Sequence, residues 1–113
     1  MSECLFCKIA SGEIPSDCVY ADDTVYAFTD LSPQAPVHFL VIPRQHIASA
    51  ADIGVKEAEI VAHIFEVIAN LTKRPECKDG FRVITNCGPD AGQSVPHLHF
   101  HVLAGRKMAW PPG

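Results

Sequence analysis

The sequence predicts an α+β domain in which a mostly antiparallel sheet carries one long helix on one face. Short stretches near both ends alternate apolar and polar residues with a period of two, which indicates strands. One central stretch, residues 53–74, repeats its apolar residues with a period of about 3.6, which indicates a helix. The resulting order of strands, helix and further strands is typical of α+β domains.

Length and composition indicate a single globular domain over residues 1–113. The chain is 48% hydrophobic, and its formal net charge of −4 gives no reason to expect nucleic acid or an anionic membrane as a partner. No apolar run reaches the ~20 residues that span a bilayer. The odd count of five cysteines, with no signal-peptide pattern at the N-terminus, predicts a protein of the reducing cytoplasm.

The chain opens with a Cys-x-x-Cys pair, Cys4 and Cys7, in a short helical segment that Gly12 and Pro15 end. Such a pair binds a metal, cycles between thiol and disulfide, or consists of two unrelated small residues. The redox form usually lies in a βαβ pattern, which this sequence lacks. Zinc is therefore the favoured ligand, although it needs two further protein ligands.

The next apolar stretches, residues 19–21 and 25–29, predict a hairpin of two short strands around an acidic turn at residues 22–24. Residues 37–42 are apolar enough for a central strand. His38 interrupts this apolar run. A histidine there is either a hydrogen-bonded core residue or a group that orients another imidazole.

Residues 53–74 predict the single long helix, with Asp52 as its N-cap and Pro75 beyond its end. Its apolar stripe consists of Ile60, Ile64, Ile68 and Leu71. His63 lies on this helix, and we expect a solvated or packing role because no partner is evident nearby in the sequence. Residues 81–86 predict a further strand.

Residues 97–103, His-Leu-His-Phe-His-Val-Leu, are the most informative stretch of the chain. A period of two places the three imidazoles on one face of a strand and the apolar side chains on the other. Alternate residues lie about 6.6 Å apart, so one ring alone can be centred on a small ligand atom, and we expect this to be His99. Three functions fit: a metal site, a hydrogen-bonded core feature, or nucleophilic catalysis by imidazole.

Nucleophilic attack on phosphorus needs hydrogen-bond donors and close backbone approach around the reacting imidazole. The loop before the histidines supplies such positions: Gly88, Gly92, Gln93 and Ser94. His101 and His38 can donate hydrogen bonds to phosphoryl oxygens and exchange protons near neutral pH. The pattern therefore favours nucleotide or phosphoester chemistry among the three functions.

Residues 97–103 resemble the His-φ-His-φ-His-φ-φ signature of the histidine triad family of nucleotide hydrolases and transferases. Residues 31–43, 92–95 and 110–113 resemble its Hint branch. The resemblance implies a HIT-like five-stranded sheet with a short N-terminal helix, and hydrolysis of purine nucleoside 5′-phosphoramidates through a nucleotidyl-histidine intermediate. Transferase members commonly have Gln at the third triad position, so His101 favours a hydrolase.

Two alternatives stay open beside this implication. One is hydrolysis of another adenylylated compound or of a dinucleoside polyphosphate. The other is a module that binds nucleotide or zinc within a complex and catalyses nothing.

The resemblance also implies roles for individual residues. The central histidine, His99, would be the nucleophile, with Ser94 near the leaving group and His38, His97 and His101 around it. Asn86 and Gln93 would contact the phosphate, and Asp30 would accept both ribose hydroxyls. The base would lie among four apolar side chains: Phe6, Ile9, Phe28 and Leu31.

Further implications concern metal and assembly, and no organic cofactor is expected. Some bacterial-type relatives have a Cys-x-x-Cys pair that joins two histidines in a structural zinc site, at positions that correspond here to Cys4, Cys7, His46 and His97. Family members are homodimers whose C-terminal segment reaches the partner's active site, which makes Trp110 a candidate contact for the leaving group. Pro96 departs from the family pattern and puts the placement of Ser94 in doubt, because proline lacks an N–H donor.

Overall fold

Five strands form one sheet in the computed structural model of the protein, which describes residues 4–113. The strands are β1 (Cys18–Ala21), β2 (Val25–Thr29), β3 (Val37–Pro43), β4 (Phe81–Ile84) and β5 (Phe100–Ala104). Their order across the sheet is β1-β2-β3-β5-β4, and every neighbouring pair is antiparallel. The predicted α+β class is confirmed, and β3 occupies the centre of the sheet as expected.

Two helices and four short 3₁₀ turns accompany the strands, and the first helix precedes β1. The helices are α1 (Leu5–Ser11) and α2 (Ala58–Leu71), and the 3₁₀ turns are Ala50–Asp52, Val55–Glu57, Pro75–Cys77 and Pro89–Ala91. The predicted short N-terminal helix is confirmed, and it ends at Gly12, whose φ of 88° is costly for other residues. No helix within residues 4–113 combines the length and the apolar character that crossing a bilayer requires.

The long helix is shorter than the predicted span of residues 53–74, and the prediction that Asp52 caps it is wrong. Ser49 caps a separate 3₁₀ turn with its hydroxyl, and the N–H of Gly54 donates to the side chain of the glutamate three residues later. These local bonds satisfy backbone N–H groups outside a regular helix, so α2 begins only at Ala58. Apolar side chains of the preceding turns still pack on the core, which is why the periodicity extended the prediction.

The two faces of the sheet bury different sets of side chains. The face toward α2 packs against its buried stripe, in a cluster that includes Val25, Ala27, Val37, Phe39, Val41, Ile64, Val67, Ile68, Leu98, Phe100 and Val102. The opposite face packs against α1 and contains Phe6, Ile9, Ala10, Phe28, Leu40 and Ile42. Because side chains alternate along a strand, His38 and His101 lie on the α1 side. The predicted division between the apolar residues and the histidines of the triad is confirmed.

A histidine of α2 bonds to the turn between β1 and β2. His63 Nε2 lies 2.7 Å from Asp22 Oδ2, and its Nδ1 lies 3.0 Å from Glu66 Oε1. These hydrogen bonds raise the pKa of His63. Burial acts to raise the pKa of Asp22, but its hydrogen bonds with His63 and with backbone N–H groups outweigh burial and lower it. The expectation that His63 has no nearby partner is therefore wrong.

Candidate functional site

The register of the central strands brings His38 and His101 together. β3 and β5 pair so that Leu40 lies opposite His101 and His38 opposite Leu103, which puts the two imidazoles on a diagonal of one face. Their facing nitrogens, His38 Nε2 and His101 Nδ1, are 2.9 Å apart. The sequence suggested His38 as a group that orients another imidazole, and the structure places it in that position.

A backbone donor determines which ring nitrogen of each histidine in this pair carries the proton. The N–H of Gln34 donates to His38 Nδ1 at 3.0 Å, so we assign the proton of the neutral ring to Nε2. That nitrogen then donates to His101 Nδ1, which leaves the proton of His101 on its Nε2. His101 therefore has a free N–H donor at Nε2.

Both members of the pair are neutral at pH 7. Burial lowers the pKa of His38, although the charge of Asp30 opposes this change. Burial, followed by the neighbouring His99 and His38, lowers the pKa of His101 to about 4. The carboxylate of Asp30 lies 3.5 Å from His38 Nε2 and 3.8 Å from His101 Nδ1. The site thus holds one carboxylate beside two uncharged imidazoles.

His99 is held by its own chain. Its Nδ1–H donates a hydrogen bond to the carbonyl oxygen of His97, at 2.6 Å between Nδ1 and oxygen. In the neutral ring, the other nitrogen, Nε2, carries no proton and keeps a lone pair. Two neighbouring rings limit the rotation of the His99 ring. The centroid of the His99 ring lies 5.0 Å from that of Phe6 and 5.2 Å from that of His101, and both contacts are edge to face. A fixed neutral imidazole with a free lone pair is a competent nucleophile.

Two thiols and two imidazoles form a second cluster beside His99. Four ligand atoms, from Cys4, Cys7, His46 and His97, all lie within 4.8 Å of one another. The Nδ1 of His97 is 3.2 Å from the sulfur of Cys4, and the Nδ1 of His46 is 3.4 Å from that of Cys7. We call these four residues the thiol–imidazole cluster. The geometry brings together all four positions that the family resemblance implied as metal ligands.

The thiol–imidazole cluster fits a tetrahedral zinc ion. Two sulfur and two nitrogen donors form a standard closed set for structural zinc. His97 Nε2 donates to the carbonyl oxygen of Pro43 at 2.9 Å, which leaves Nδ1 free as a ligand and provides the usual second bond of a metal-binding histidine. Burial raises the pKa of Cys7, and the adjacent Cys4 sulfur raises it further, because both disfavour a negative charge on this thiol. A cation bound beside the two sulfurs would offset that cost.

The loop before β5 is closed by the side chain of Gln93. Its Oε1 accepts the N–H of Gly88 at 3.0 Å, and its Nε2 donates to the carbonyl oxygens of Ala48 (2.9 Å) and Val95 (3.1 Å). The structure therefore shows Gln93 bracing the loop, and contact with a phosphate stays a prediction. Ser94 lies exposed on the same loop.

The strand that carries the triad begins later than predicted. The N–H of His97 donates back to the carbonyl oxygen of Val95 at 2.8 Å, in a three-residue turn centred on Pro96. β5 starts only at Phe100, so the prediction of a regular strand from His97 is wrong. The side chains of residues 97–102 still alternate between the two faces, which preserves the placement of the histidines.

The residues expected around a nucleotide base and ribose are partly assembled. Phe6, Ile9 and Phe28 are buried together on the α1 side, whereas Leu31 is 97% exposed. Asp30 lies beside the histidine pair, and its Oδ1 accepts the N–H of Ser32.

The other two predicted contacts of the substrate lie near β4. Asn86 follows β4 and is half-buried. The ring of Trp110 is 81% exposed and lies 6.0 Å from the guanidinium of Arg82. The described chain thus does not bring Trp110 to the triad.

Some functional contacts have no signal in the sequence. The hydroxyl of Thr85 donates to the carbonyl oxygen of His99 at 2.8 Å and so fixes the backbone of that residue. The N–H of Gln34 and the carbonyl of Pro43 set ring protons through the backbone alone. Backbone donors and acceptors are independent of side-chain identity, so spacing and composition do not predict these roles.

Residues 11–108 match the family model described as the HIT domain. The chain belongs to the HIT family. A HIT-like protein of Synechococcus elongatus is 45% identical over 109 residues, which cover 96% of each chain. A 14 kDa zinc-binding protein of Zea mays is 43% identical over 114 residues, which cover 99% of this chain and 89% of the maize protein.

Solved structures of HIT proteins have the same fold. A HIT family hydrolase from Legionella pneumophila superposes with a TM-score of 0.95 at 44% identity, covering 98% of this chain and 100% of the other. A histidine triad protein from Clostridium difficile superposes with a TM-score of 0.92 at 55% identity, covering 96% of each chain. A histidine triad nucleotide-binding protein from Candida albicans superposes with a TM-score of 0.82 at 33% identity, covering 98% of this chain and 85% of the other. The predicted HIT-like architecture is confirmed.

Proposed function

We propose that the protein hydrolyses purine nucleoside 5′-phosphoramidates and belongs to the Hint branch of the HIT family. The observation that supports this most directly is the hydrogen bond from His99 Nδ1 to the His97 carbonyl, which leaves Nε2 as the attacking nitrogen. Two similar proteins agree in class, since one is described as a HIT family hydrolase and another as a nucleotide-binding protein.

In the first step, His99 Nε2 attacks phosphorus and the bond between phosphorus and the leaving amine breaks. The amine takes up one proton as it departs. Ser94 is exposed and would pass this proton from water through its hydroxyl. The N–H of His101 would donate to a non-bridging oxygen, where negative charge increases in the transition state.

In the second step, a water molecule attacks phosphorus and the bond between phosphorus and His99 Nε2 breaks. One water proton is released, the nucleoside 5′-monophosphate leaves, and the imidazole is restored with its Nδ1–H still bonded to His97. The two steps replace one difficult displacement on phosphorus by two easier ones.

The nucleotide would occupy the α1 side of the sheet. The Asp30 carboxylate accepts two hydroxyl donors well, which suits the ribose. The rings of Phe6 and Phe28 pack edge to face at 5.5 Å, so they form a rigid apolar wall that suits a flat base. Leu31, next to Asp30, is exposed in the free protein and would cover the base from outside.

We also propose that the thiol–imidazole cluster holds a structural zinc ion. The donor set and the free Nδ1 of His97 support this, and the similar maize protein is described as zinc-binding. The ion would join α1 to the turn before β5 and take no part in the chemistry. The five cysteines form no disulfide with one another, which supports the proposed cytoplasmic location.

Rapid mixing with an adenosine 5′-phosphoramidate, such as an AMP–lysine conjugate, tests the proposed function. The wild type should accumulate a nucleotidyl adduct on His99, detected by mass spectrometry after acid quench at a pH that preserves the phosphorus–nitrogen bond. His99→Ala should lower kcat by at least ~10⁴-fold and form no adduct, because the nucleophile is lost.

His63→Ala is the matched control, because that imidazole belongs to α2 and bonds to Asp22. It should retain wild-type turnover. Normal turnover by His99→Ala would overturn the proposal. Faster cleavage of diadenosine polyphosphates than of phosphoramidates would replace it with the anhydride alternative, and binding without any cleavage would favour the interaction module.

A further inference from the structure

The turn after β5 contacts the loop before β3. Arg106 Nε donates to the carbonyl oxygen of Gln34 at 2.9 Å. Next to it, Gly105 has a φ of +92°, and a Cβ built at Gly105 would lie 2.9 Å from the Cβ of Pro36. The two segments are therefore in direct contact, and Gly105 is required both by its backbone angle and by the lack of space.

This contact holds the residue that sets the ring protons of the histidine pair. The N–H of Gln34 donates to His38 Nδ1, and His38 Nε2 in turn bonds to His101 Nδ1. The side chain of Gln34 donates to Ser32, within its own loop. Arg106 is thus the side chain that joins the backbone of this exposed loop residue to the turn that leaves the sheet.

A change in the orientation of Gln34 would be transmitted along the pair. Without the N–H of Gln34, His38 can place its proton on Nδ1, and its Nε2 then becomes an acceptor. His101 Nδ1 would have to carry a proton to bond with it, which leaves His101 Nε2 without one. The N–H donor for the phosphoryl oxygen would be lost, although no catalytic residue had changed.

We propose that Arg106 is a positioning residue, which holds Gln34 so that His38 and His101 keep the ring protons that hydrolysis requires. This inference rests on the proposed phosphoramidate hydrolysis for its kinetic consequence. The proton positions themselves belong to the free protein and are measurable without any substrate.

The test is ¹⁵N–¹H correlation NMR of the histidine rings at pH 7, combined with steady-state kinetics on the same samples. In Arg106→Ala, the Nε2–H form of His38 and His101 should fall, and kcat should fall about 10-fold with KM changed less than about 2-fold. A donor that acts on the transition state affects kcat first, and its complete loss costs ~10²–10³-fold. Arg106→Lys, which keeps one donor, should recover part of both effects.

Lys107→Ala is the matched control, because it removes a positive charge from the same turn and leaves the bond between Arg106 and Gln34. It should keep wild-type ring protons and kcat. Gly105→Ala disturbs the same contact through Pro36 and should shift the ring protons in the same direction as Arg106→Ala, which keeps the inference testable if one variant folds poorly.

The outcomes separate this inference from the proposed function. Unchanged ring protons in Arg106→Ala and Gly105→Ala would overturn the role of Arg106, as would a loss of kcat that follows only a fall in Tm. If the wild type cleaves no phosphoramidate, the proposed function fails, while the ring-proton measurement still decides whether Arg106 positions the pair.

Discussion

The three histidines of the triad differ in the partner of one ring nitrogen. The Nδ1 of His97 faces the sulfur of Cys4, that of His99 donates to a backbone carbonyl, and that of His101 accepts from His38. Each partner leaves a different group of the same imidazole available: a free Nδ1 beside a thiol, a ring with a free lone pair and a ring with a free N–H. The proposed catalysis needs the last two of these groups, and identical side chains acquire all three from their surroundings.

The neutral state of His101 predicts a dependence of stability on pH. Its pKa is lowered from about 6.5 in the unfolded chain to about 4, so between these values the unfolded chain binds more protons. Stability should therefore fall as pH drops from about 6.5 to about 4, by up to about 3 kcal/mol from this residue. Urea unfolding at pH 7 and at pH 4.5 measures this fall in the free energy of unfolding. The fall between the two pH values should be smaller for His101→Gln than for the wild type.

His63 provides a control of opposite sign. Its pKa is raised, chiefly by the hydrogen bond to Asp22, so its contribution is present below pH ~6.5 and is lost as pH rises through the folded pKa. His63→Gln should therefore lose more stability than the wild type on acidification. Equal pH dependence of the His101→Gln variant and the wild type would contradict the neutral, buried state of His101.

At the scale of elements, α1 depends on contacts from distant parts of the chain. A helix of seven residues is unstable alone. Phe6, Ile9 and Ala10 bury its inner face, while Cys4 and Cys7 approach His46 and His97. The same helix supplies the ring of Phe6 that flanks His99. The thiol–imidazole cluster thus connects the N-terminal helix to the geometry of the nucleophile.

Removal of zinc should loosen α1 selectively. We expect one zinc per chain in protein purified without added metal, and little zinc in Cys4→Ser. In hydrogen exchange, the amides of α1 should lose protection in Cys4→Ser while those of α2 keep it, and KM should rise because the wall formed by Phe6 moves. Cys18→Ser, a change at an exposed thiol on β1, should behave as wild type. A metal-free wild type with a protected α1 would contradict the zinc proposal.

At the scale of the whole molecule, β4 is an edge strand with apolar neighbours. Phe81 is 45% exposed at its start, and Trp110 is 81% exposed in the C-terminal segment. An unpaired edge beside exposed aromatic rings is a favourable surface for pairing with a second copy of the chain. The homodimer implied by the family resemblance would join the two sheets here and would give Trp110 a partner site to contact.

Light scattering should report twice the mass of one chain for the wild type. Phe81→Asp introduces a charge at the pairing edge and should shift the protein toward monomers, with kcat/KM falling as Trp110 loses its site. Trp110→Ala should remain dimeric and show the kinetic loss alone. A monomeric wild type that is fully active would contradict both the dimer and the role of Trp110.

Local patterns account for what could be predicted from the sequence. The hairpin predicted at residues 19–29, the buried central strand and the α1–Gly12 boundary each depend on neighbouring residues, and each is confirmed. The start of α2 and of β5 were mispredicted, because the side chains of Ser49 and Glu57 and the turn at Pro96 satisfy N–H groups locally. The roles of Thr85 and of the Gln34 backbone had no sequence signal.

The sequence by itself determined that the three histidines share one face of the chain, because alternation along an extended segment is a property of adjacent residues. His99 bonds to the carbonyl oxygen of His97, two residues away, but only the tertiary structure decided which nitrogen His97 and His101 present. Those choices depend on partners that lie 54, 63 and 93 residues away along the chain, at Pro43 for His97, His38 for His101 and Cys4 for His97. The position of a ring proton depends on which donor or acceptor lies beside each nitrogen. When that partner is distant along the chain, only folding determines which group it is.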